Sequence, residues 1–353
     1  MLTEKNIVAD MIRSGETLML SGTEEMLTGL PNGNWVGGTS SYFMNEDGGQ
    51  KNTDKIFVMK LPADAKLKQV KFYDSEHLAD ISKETPDNGF TYLLMPFGTK
   101  AHLDYAEKAP FYPGQFTKIT IGWVAGIALE DMGKKTTKVF NGQNGQISET
   151  DALAMHCSLP DNKYAMISTI NIYEADKKAT IVFPNSGFEV GNCLINGEPT
   201  NIVKYMKENN IDTKYPIVAN FKFGSALSKK LDTSGYTSFT EYPHVPDHHS
   251  GNFVNVSFAG IKDDKAQLYA PIFKDVKYYF AKPADYLTEF NRNLTAVSDE
   301  LAFSFSCILN YVNSNLEGKI TKGMYGPFTF GEIAYQLLNQ TLVYLDIKTK
   351  GSH

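Results

Sequence analysis

The sequence AFSFSCILNY at residues 302–311, followed by GKITKGMYGPFTFGEIAYQLLNQTLVYLDI at residues 318–347, is the most informative part of the chain. Gly326 and Gly331 bracket a short loop in which the backbone can approach a ligand closely. Glu332 follows the second glycine, so its carboxylate could receive an amine or pair with a buried lysine. The alternative is a tight corner in which Glu332 caps neighbouring backbone.

These stretches resemble the end of FIST domains, the intracellular sensory modules of bacterial signal-transduction proteins. The resemblance rests on Phe305-Ser306-Cys307 in an apolar strand, on the turn from Gly326 to Glu332, and on Gln340-Thr341 leading into a last strand. Two features depart from the family pattern, because Ile308-Leu309-Asn310-Tyr311 stands where an arginine is expected and Pro327 is inserted in the turn. The resemblance implies a small-ligand sensor that signals through a separate partner protein.

The resemblance also divides the chain into an N-terminal FIST-like region, residues 1–235, and a C-terminal one, residues 253–350. Gly37-Gly38-Thr39 would be the glycine-rich strand end of the first region. Residues 236–252 are rich in Pro, His, Asp, Gly and Ser without periodicity, which predicts a loop or linker. Some FIST relatives bind haem, and this would imply His102 or His156 as an axial ligand.

The order of apolar and polar stretches predicts the fold class. Leu18 to Leu20, a helical stretch and Trp35 to Phe43 suggest a βαβ opening. Tyr92 to Pro96 passes through Phe97-Gly98-Thr99 into a helix that bears Leu103 and Ala106, and a similar passage at 217–231 suggests a duplication. The irregular alternation favours α+β, with mixed β-sheets flanked by helices, and it allows two similar halves packed together.

A second candidate site lies at the start of the helix that follows Gly98. Thr99 is expected at the N-cap, and His102 in the first turn, near the helix end that favours anions. With Lys100 they could line an anion or carboxylate site. The alternative is an exposed helical histidine with no ligand.

Composition excludes several classes of protein. The 353 residues carry a net charge of -6, 42% are hydrophobic, and Arg13 and Arg292 are the only arginines, so nucleic acid is a poor partner. No run of eighteen apolar residues occurs and no signal peptide is evident, which predicts no membrane partner and a cytoplasmic location. Gly351-Ser352-His353 resembles the remnant of an affinity tag.

Cysteines and histidines give no metal-site pattern. Three separated cysteines suit reduced thiols, and Cys157 is expected to pack although it adjoins His156. His244, His248 and His249 lack a zinc-type spacing, so a solvated loop is favoured over a metal site.

These patterns favour an intracellular small-ligand sensor whose pocket lies where the C-terminal turn meets the glycine-rich strand end. An enzyme, either a hydrolase or an isomerase using His102, Glu332 or Cys307, is the alternative, and a protein-interaction module is a third reading. Rossmann, P-loop and nucleophile-elbow motifs do not occur. The predicted ligand-contacting residues are Gly37, Gly38, Thr39, Gly98, Thr99, His102, Cys307, Phe328, Thr329, Gly331 and Glu332.

Overall fold

A computed structural model describes residues 1–220, 253–294 and 301–350 of the chain. These residues form two compact units. Unit 1 contains residues 1–169, 294–337 and the chain from residue 342 onward, and unit 2 contains residues 170–293 and 338–341. Both sequence regions predicted above contribute residues to both units. The predicted linker at 236–252 and the tag remnant at 351–353 lie outside the described residues.

Unit 1 is built from three six-stranded sheets, with strands numbered in chain order. Sheet I contains, in spatial order, β1 (Leu2–Thr3), β6 (Ile56–Lys60), β2 (Leu18–Gly22), β3 (Trp35–Thr39), β10 (Val139–Asn141) and β11 (Gln146–Ser148). Sheet II contains β26 (Gln336–Leu338), β25 (Glu332–Ala334), β9 (Thr120–Ala125), β8 (Gly89–Pro96), β12 (Ala152–Ser158) and β7 (Lys66–Tyr73). Sheet III contains β13 (Lys163–Ile170), β27 (Leu342–Thr349), β23 (Leu301–Cys307), β24 (Gly326–Thr329), β4 (Tyr42–Asn45) and β5 (Gly48–Lys51).

Helices are short and connect or flank these strands. The described residues contain α1 (Lys5–Arg13), α2 (Glu24–Leu27), α3 (Asp80–Glu84), α4 (Lys100–Lys108), α5 (Ile202–Glu208), α6 (Tyr286–Asn293) and α7 (Ile308–Asn313). Thr23 and Thr99 cap α2 and α4, since each side chain accepts a backbone N–H from the first helical turn. The predicted α+β class with mixed sheets and helices is confirmed.

One strand order occurs three times in unit 1. Each sheet has one parallel pair joined through a short helix, and the pairs are β2–α2–β3, β8–α4–β9 and β23–α7–β24. The first strand of each pair also bonds antiparallel to the strand that returns after the pair, which is β6, β12 or β27. In each sheet, therefore, antiparallel strands flank a central parallel pair.

The three repeats exchange hairpins in a cyclic order. The hairpin β4–β5 follows the first pair but bonds to β24 of the third repeat, and β10–β11 follows the second pair but bonds to β3 of the first. The strands β25 and β26 follow the third pair, and β25 bonds to β9 of the second. Each sheet is thus completed by a hairpin from another repeat, and unit 2 interrupts the third repeat between β13 and β23.

Unit 2 has its own two sheets and a buried amide network. Sheet IV contains β17 (Glu198–Asn201), β16 (Asn192–Ile195), β14 (Ala175–Val182), β22 (Lys277–Ala281), β18 (Ile217–Asn220) and β19 (Phe253–Val256), and sheet V contains β15 (Gly187–Val190), β21 (Lys265–Ile272) and β20 (Phe258–Lys262). Asn255 exchanges hydrogen bonds with Asn171 and donates to the carbonyls of Asn339 and Gln340. These bonds fix residues 338–341 in unit 2.

Candidate functional site

The carboxyl ends of the second strands in the three repeats meet within unit 1. The carbonyl of Thr39, at the end of β3, accepts the N–H of Gly126 just beyond β9, at 2.7 Å. The neighbouring Ser40 hydroxyl donates to the carbonyl of Phe328, in β24, at 2.9 Å. Strand ends of α/β sheets are common ligand sites, so this junction is where a site is expected.

The third side of the junction joins β9 to the C-terminal turn. The N–H of Phe330 donates to the carbonyl of Val124 at 3.0 Å, and the carbonyl of Gly331 accepts the N–H of Val124 at 2.9 Å. The Phe330 ring covers Gly126 so closely that an added Cβ would lie 2.5 Å from the ring. The predicted meeting of the C-terminal turn with the glycine-rich strand end is therefore observed, and it is a packed contact.

A cavity of about 320 Å³ opens beside this junction, between the first and second repeats. Its floor is made by the buried Thr39, Ser40, Ser41 and Gly126, and charged side chains surround its mouth. Its lining residues are Thr23, Glu24, Glu25, Thr39, Ser40, Ser41, Thr53, Asp54, Gly126, Ile127, Ala128, Asp131, Lys135 and Thr136. We call this space the strand-end cavity.

Two adjacent serines on the floor have different environments. Ser40 is held by its bond to Phe328. Ser41 is only 4% exposed, lines the cavity, and its hydroxyl makes no hydrogen bond within the described part of the chain. The Ser41 Oγ keeps access to the cavity, so water or a ligand can form the hydrogen bond that the protein does not supply. Ser41 thus marks the cavity as a place for a polar group.

Ion pairs order most of the cavity mouth. Lys135 lies 3.4 Å from Glu25 and 3.3 Å from Asp131. Lys138, just outside the lining, pairs with Glu24 at 2.6 Å and with Glu149 at 2.9 Å. The hydrogen bond from Lys138 lowers the pKa of Glu149, and the Glu149 and Glu24 carboxylates raise the pKa of Lys138. Lys138 and Glu149 are therefore charged near neutral pH.

Aromatic side chains fill the corresponding positions of the other two repeats. Phe97, after the first strand of the second repeat, lies 5.4 Å from the His102 ring and 5.2 Å from the Phe330 ring. In the third repeat, the ring of Tyr311 on α7 lies 4.9 Å from that of Phe328. These ring contacts pack the chain near the strand ends of the second and third repeats.

Comparison with known proteins assigns a family. A model described as a family of unknown function, DUF6976, matches residues 3–234 and 231–348. The chain belongs to this family. No curated protein matches it. In the described residues of this DUF6976 chain, none of the helices combines the length and apolarity needed to cross a membrane.

Gly37 and Gly38, predicted to approach a ligand, pack against protein in the DUF6976 fold. A Cβ on Gly38 would lie 2.6 Å from the ring of Trp123, and one on Gly37 would lie 3.2 Å from the ring of Trp35. Of the predicted site residues, Thr39 alone is among those lining the cavity. The glycines admit large rings into the core, and the hydroxyls that follow them form the floor.

Sequence reasoning missed Ser40 and Ser41 because Trp35 to Phe43 was taken as one strand. That interpretation is wrong. β3 ends at Thr39, and β4 begins at Tyr42 in a different sheet. The sequence does contain a signal for this part of the cavity, because the three hydroxyl residues Thr39, Ser40 and Ser41 directly follow Gly37 and Gly38. The acidic residues of the mouth lie far apart in sequence, with Glu24 and Glu25 at the start of α2 and Asp131 at the end of a short 3-10 helix, and they gave no signal.

Glu332, Thr329 and Cys307 lie together in the core beneath the turn. Glu332 is fully buried, and the Thr329 hydroxyl donates to its Oε1 at 3.0 Å. Cys307 is the strand partner of Thr329, is in no disulfide and is 1% exposed. None of the three lines the strand-end cavity. They therefore belong to the packed core next to the turn.

His102 is buried, so the expectation of an exposed helical histidine is wrong. Its backbone N–H bonds the capping Thr99 hydroxyl, and its Nδ1 accepts the N–H of Gly98 at 3.1 Å. The neutral ring therefore carries its proton on Nε2, which has no hydrogen-bond partner in the described residues. Burial lowers the pKa of His102 to about 4. A neutral, enclosed ring is poorly suited to hold an anion.

His156 lies in a closed hydrogen-bond chain. Its Nε2 is 2.8 Å from the Tyr73 hydroxyl and its Nδ1 is 2.7 Å from the Thr91 hydroxyl. Tyr73 in turn donates to Glu84 at 2.8 Å. Burial lowers the pKa of His156 to about 4 and raises that of the adjacent Cys157 thiol to about 12. Cys157 is fully buried, as the expected packing role requires.

Neither histidine environment fits an axial haem ligand. Both ring nitrogens of His156 are occupied, and His102 is 2% exposed and lies outside the cavity lining. Among the described residues, no three His, Cys, Asp or Glu side chains are placed to hold a metal ion. His244, His248 and His249 lie outside the described residues.

Proposed function

We propose that this DUF6976 protein is a cytoplasmic sensory protein of the FIST type that binds a small ligand in the strand-end cavity and signals through a separate partner. The unpartnered Ser41 hydroxyl on the cavity floor is the observation that carries the proposal. The sequence resemblance at Phe305 to Cys307 and at Gly326 to Glu332 supports the sensory role.

The cavity has the properties of a small-molecule site. Its volume of about 320 Å³ lies at the lower end of the range of such sites, roughly 300–1,000 Å³. Apolar Ile127 and Ala128 stand beside the hydroxyl floor, so the cavity combines apolar contact with a few polar groups. Backbone hydrogen bonds between repeats hold this floor in place, which favours a preformed site.

The C-terminal turn has an indirect role in this proposal. Phe328 fixes Ser40 through its carbonyl, and Ser40 precedes the Ser41 hydroxyl that faces the cavity. In this proposal the C-terminal turn positions the cavity floor and does not contact the ligand. This differs from the sequence-based prediction, which made ligand contacts of Phe328, Thr329, Gly331 and Glu332.

The alternative of a hydrolase or isomerase has less support from the geometry. His102, Glu332 and Cys307 are each at most 2% exposed, so a substrate cannot reach them in this conformation. Cys307 does end β23 and precede α7, a position open to a nucleophile in other folds, but its 1% exposure closes it to a substrate here. An origin from two similar halves remains a proposal, and the strand order supports three related repeats better.

The proposal predicts opposite behaviour for the two floor serines. Ser41→Ala removes a hydroxyl with no protein partner, so it should weaken ligand retention while leaving the free energy of unfolding within about 0.5 kcal/mol of wild type. Ser40→Ala removes a buried hydrogen bond and should cost about 1 kcal/mol of stability. Mass spectrometry of small molecules released from each purified variant, with urea unfolding in parallel, measures both effects. Equal ligand release from wild type and Ser41→Ala would overturn the proposal.

A further inference from the structure

The strand-end cavity is surrounded by more negatively charged side chains than positively charged ones. Among the lining residues, Glu24, Glu25, Asp54 and Asp131 carry carboxylates and Lys135 carries the one ammonium group, while Lys138 outside the lining pairs with Glu24 and Glu149. The mouth therefore carries surplus negative charge, and a cavity lined by one sign of charge concentrates ligands of the other sign.

Asp54 is the carboxylate of the lining that has no cation beside it. Its side chain accepts the neighbouring Thr53 hydroxyl at 3.2 Å and forms no ion pair among the described residues. Glu25 and Asp131 are bridged by Lys135, and Glu24 is bridged to Lys138. A positively charged group that enters the cavity would thus meet Asp54 as its available counter-ion.

Ser41 supplies an independent observation that points to a ligand. Ser41 is 4% exposed and lines the same cavity as Asp54, and among the described residues its hydroxyl has no hydrogen-bond partner. A hydroxyl can donate to a ligand oxygen or accept from a ligand N–H or O–H. Together the two side chains offer one charge contact at the mouth and one hydrogen bond at the floor.

We infer that the strand-end cavity takes a small polar molecule that bears a positively charged nitrogen, with its cation at Asp54 and a second polar group at Ser41. This inference rests on the proposed ligand-binding function and narrows the ligand class. Lys135 remains bound to Glu25 and Asp131, so it does not replace the ligand cation at Asp54.

Calorimetric titration with three four-carbon probes tests the charge preference. Putrescine is cationic, butanediol is neutral and succinate is anionic. Putrescine should bind about ten-fold tighter than butanediol, because hydrogen bonds to charged groups are the stronger ones, and succinate should bind weakest. Added salt should weaken putrescine binding and leave butanediol unchanged.

Matched aspartate variants separate a specific contact from general attraction to an acidic protein. Asp54→Asn should remove the roughly ten-fold preference for putrescine. Asp161→Asn, at an exposed position outside the cavity lining, should retain it. Equal putrescine affinity in wild type and Asp54→Asn would overturn the inference.

The same titrations distinguish failure of the inference from failure of the proposed function. If butanediol or succinate binds better than putrescine and Ser41→Ala weakens that binding, the cavity is a ligand site and the cationic class is wrong. If none of the probes binds and the purified protein releases no small molecule, the proposed function itself fails.

Discussion

Lowering the pH from about 7 to about 5 is expected to reduce the free energy of unfolding by about 4 kcal/mol through His102 and His156 together. Both rings are buried, and burial lowers each pKa to about 4. An unfolded chain has the ordinary histidine pKa of about 6.5. Between these values the unfolded state binds more protons than the native state, so stability is complete above about pH 6.5 and is lost as the pH falls toward 4.

The surroundings of the two rings also favour the neutral form, which agrees with a loss of stability at low pH. Protonation of His102 would turn Nδ1 into a donor facing the N–H of Gly98. For His156, desolvation is the largest effect and lowers the pKa, Lys71 lowers it further, and the two outweigh Glu84, which favours the charged form. Both rings are therefore expected to stay neutral in the native protein.

Urea unfolding at the two pH values checks this expectation. The double variant His102→Gln with His156→Gln should lose most of the pH slope that wild type shows. His77→Gln is the control, because His77 is exposed and its hydrogen bond to Asp74 raises its pKa. A raised pKa contributes stability at low pH that is lost as pH rises, so this control should not flatten the slope. Equal slopes for wild type and the double variant would show that the rings are not buried as described.

Glu332→Ala is expected to cost about 3 kcal/mol or more of stability without changing ligand affinity. The carboxylate is fully buried, and its loss leaves a void and removes the nearest of three acceptors of the Thr329 hydroxyl, the others being the carbonyls of Gly331 and Ser306. Glu332 does not line the strand-end cavity. The expected effect is therefore one of folding, and urea unfolding measures it.

Glu332→Gln is the matched variant for this experiment. It keeps the side-chain shape and an oxygen for the Thr329 hydroxyl, so its stability loss should be smaller than that of Glu332→Ala. Titration with the cavity ligand should give wild-type affinity for both variants where they are folded. Unchanged stability with lost ligand binding would instead make Glu332 a ligand contact.

Local patterns predicted part of the site and failed where distant strands decide the structure. The strand at Phe305 to Cys307 and the Thr99 cap follow from residue types nearby in sequence. The predicted loop from Gly326 to Glu332 is wrong over its first half, because Gly326–Thr329 form β24 and only Phe330 and Gly331 separate it from β25. The break of the chain after Thr39 does not, because β4 is held by β24, far along the sequence. An alternation of apolar and polar residues cannot show that one extended stretch contributes strands to two different sheets.

Helix α4 shows a second limit of local reasoning. The sequence predicts a helix that bears Leu103 and Ala106, and in the structure Leu103 is 39% exposed while His102 is buried with Tyr105 and Ala106. The capping geometry at Thr99 and the bond from Gly98 to His102 turn the polar residue inward. Hydrophobicity alone ranks leucine above histidine as the buried residue and so selects the wrong face.

The repeated architecture was also hidden from sequence comparison. The suspected duplication compared Phe97-Gly98-Thr99 with residues 223–225, which lie outside the described residues. The three repeats instead place Thr23, Thr99 and Cys307 between the first strand and the helix. Their likeness lies in strand order and hairpin exchange, and these depend on pairings that are distant in sequence.

Native mass spectrometry of a cavity-filling variant tests the central claim most directly, namely that the strand-end cavity binds a small molecule. Ala128 lines the cavity, so Ala128→Leu should fill it, whereas Ala63→Leu at an exposed position should not. The account predicts a non-covalent small-molecule adduct on wild type and on Ala63→Leu, and none on folded Ala128→Leu. A folded Ala128→Leu protein that carries the wild-type adduct in the wild-type amount would contradict it.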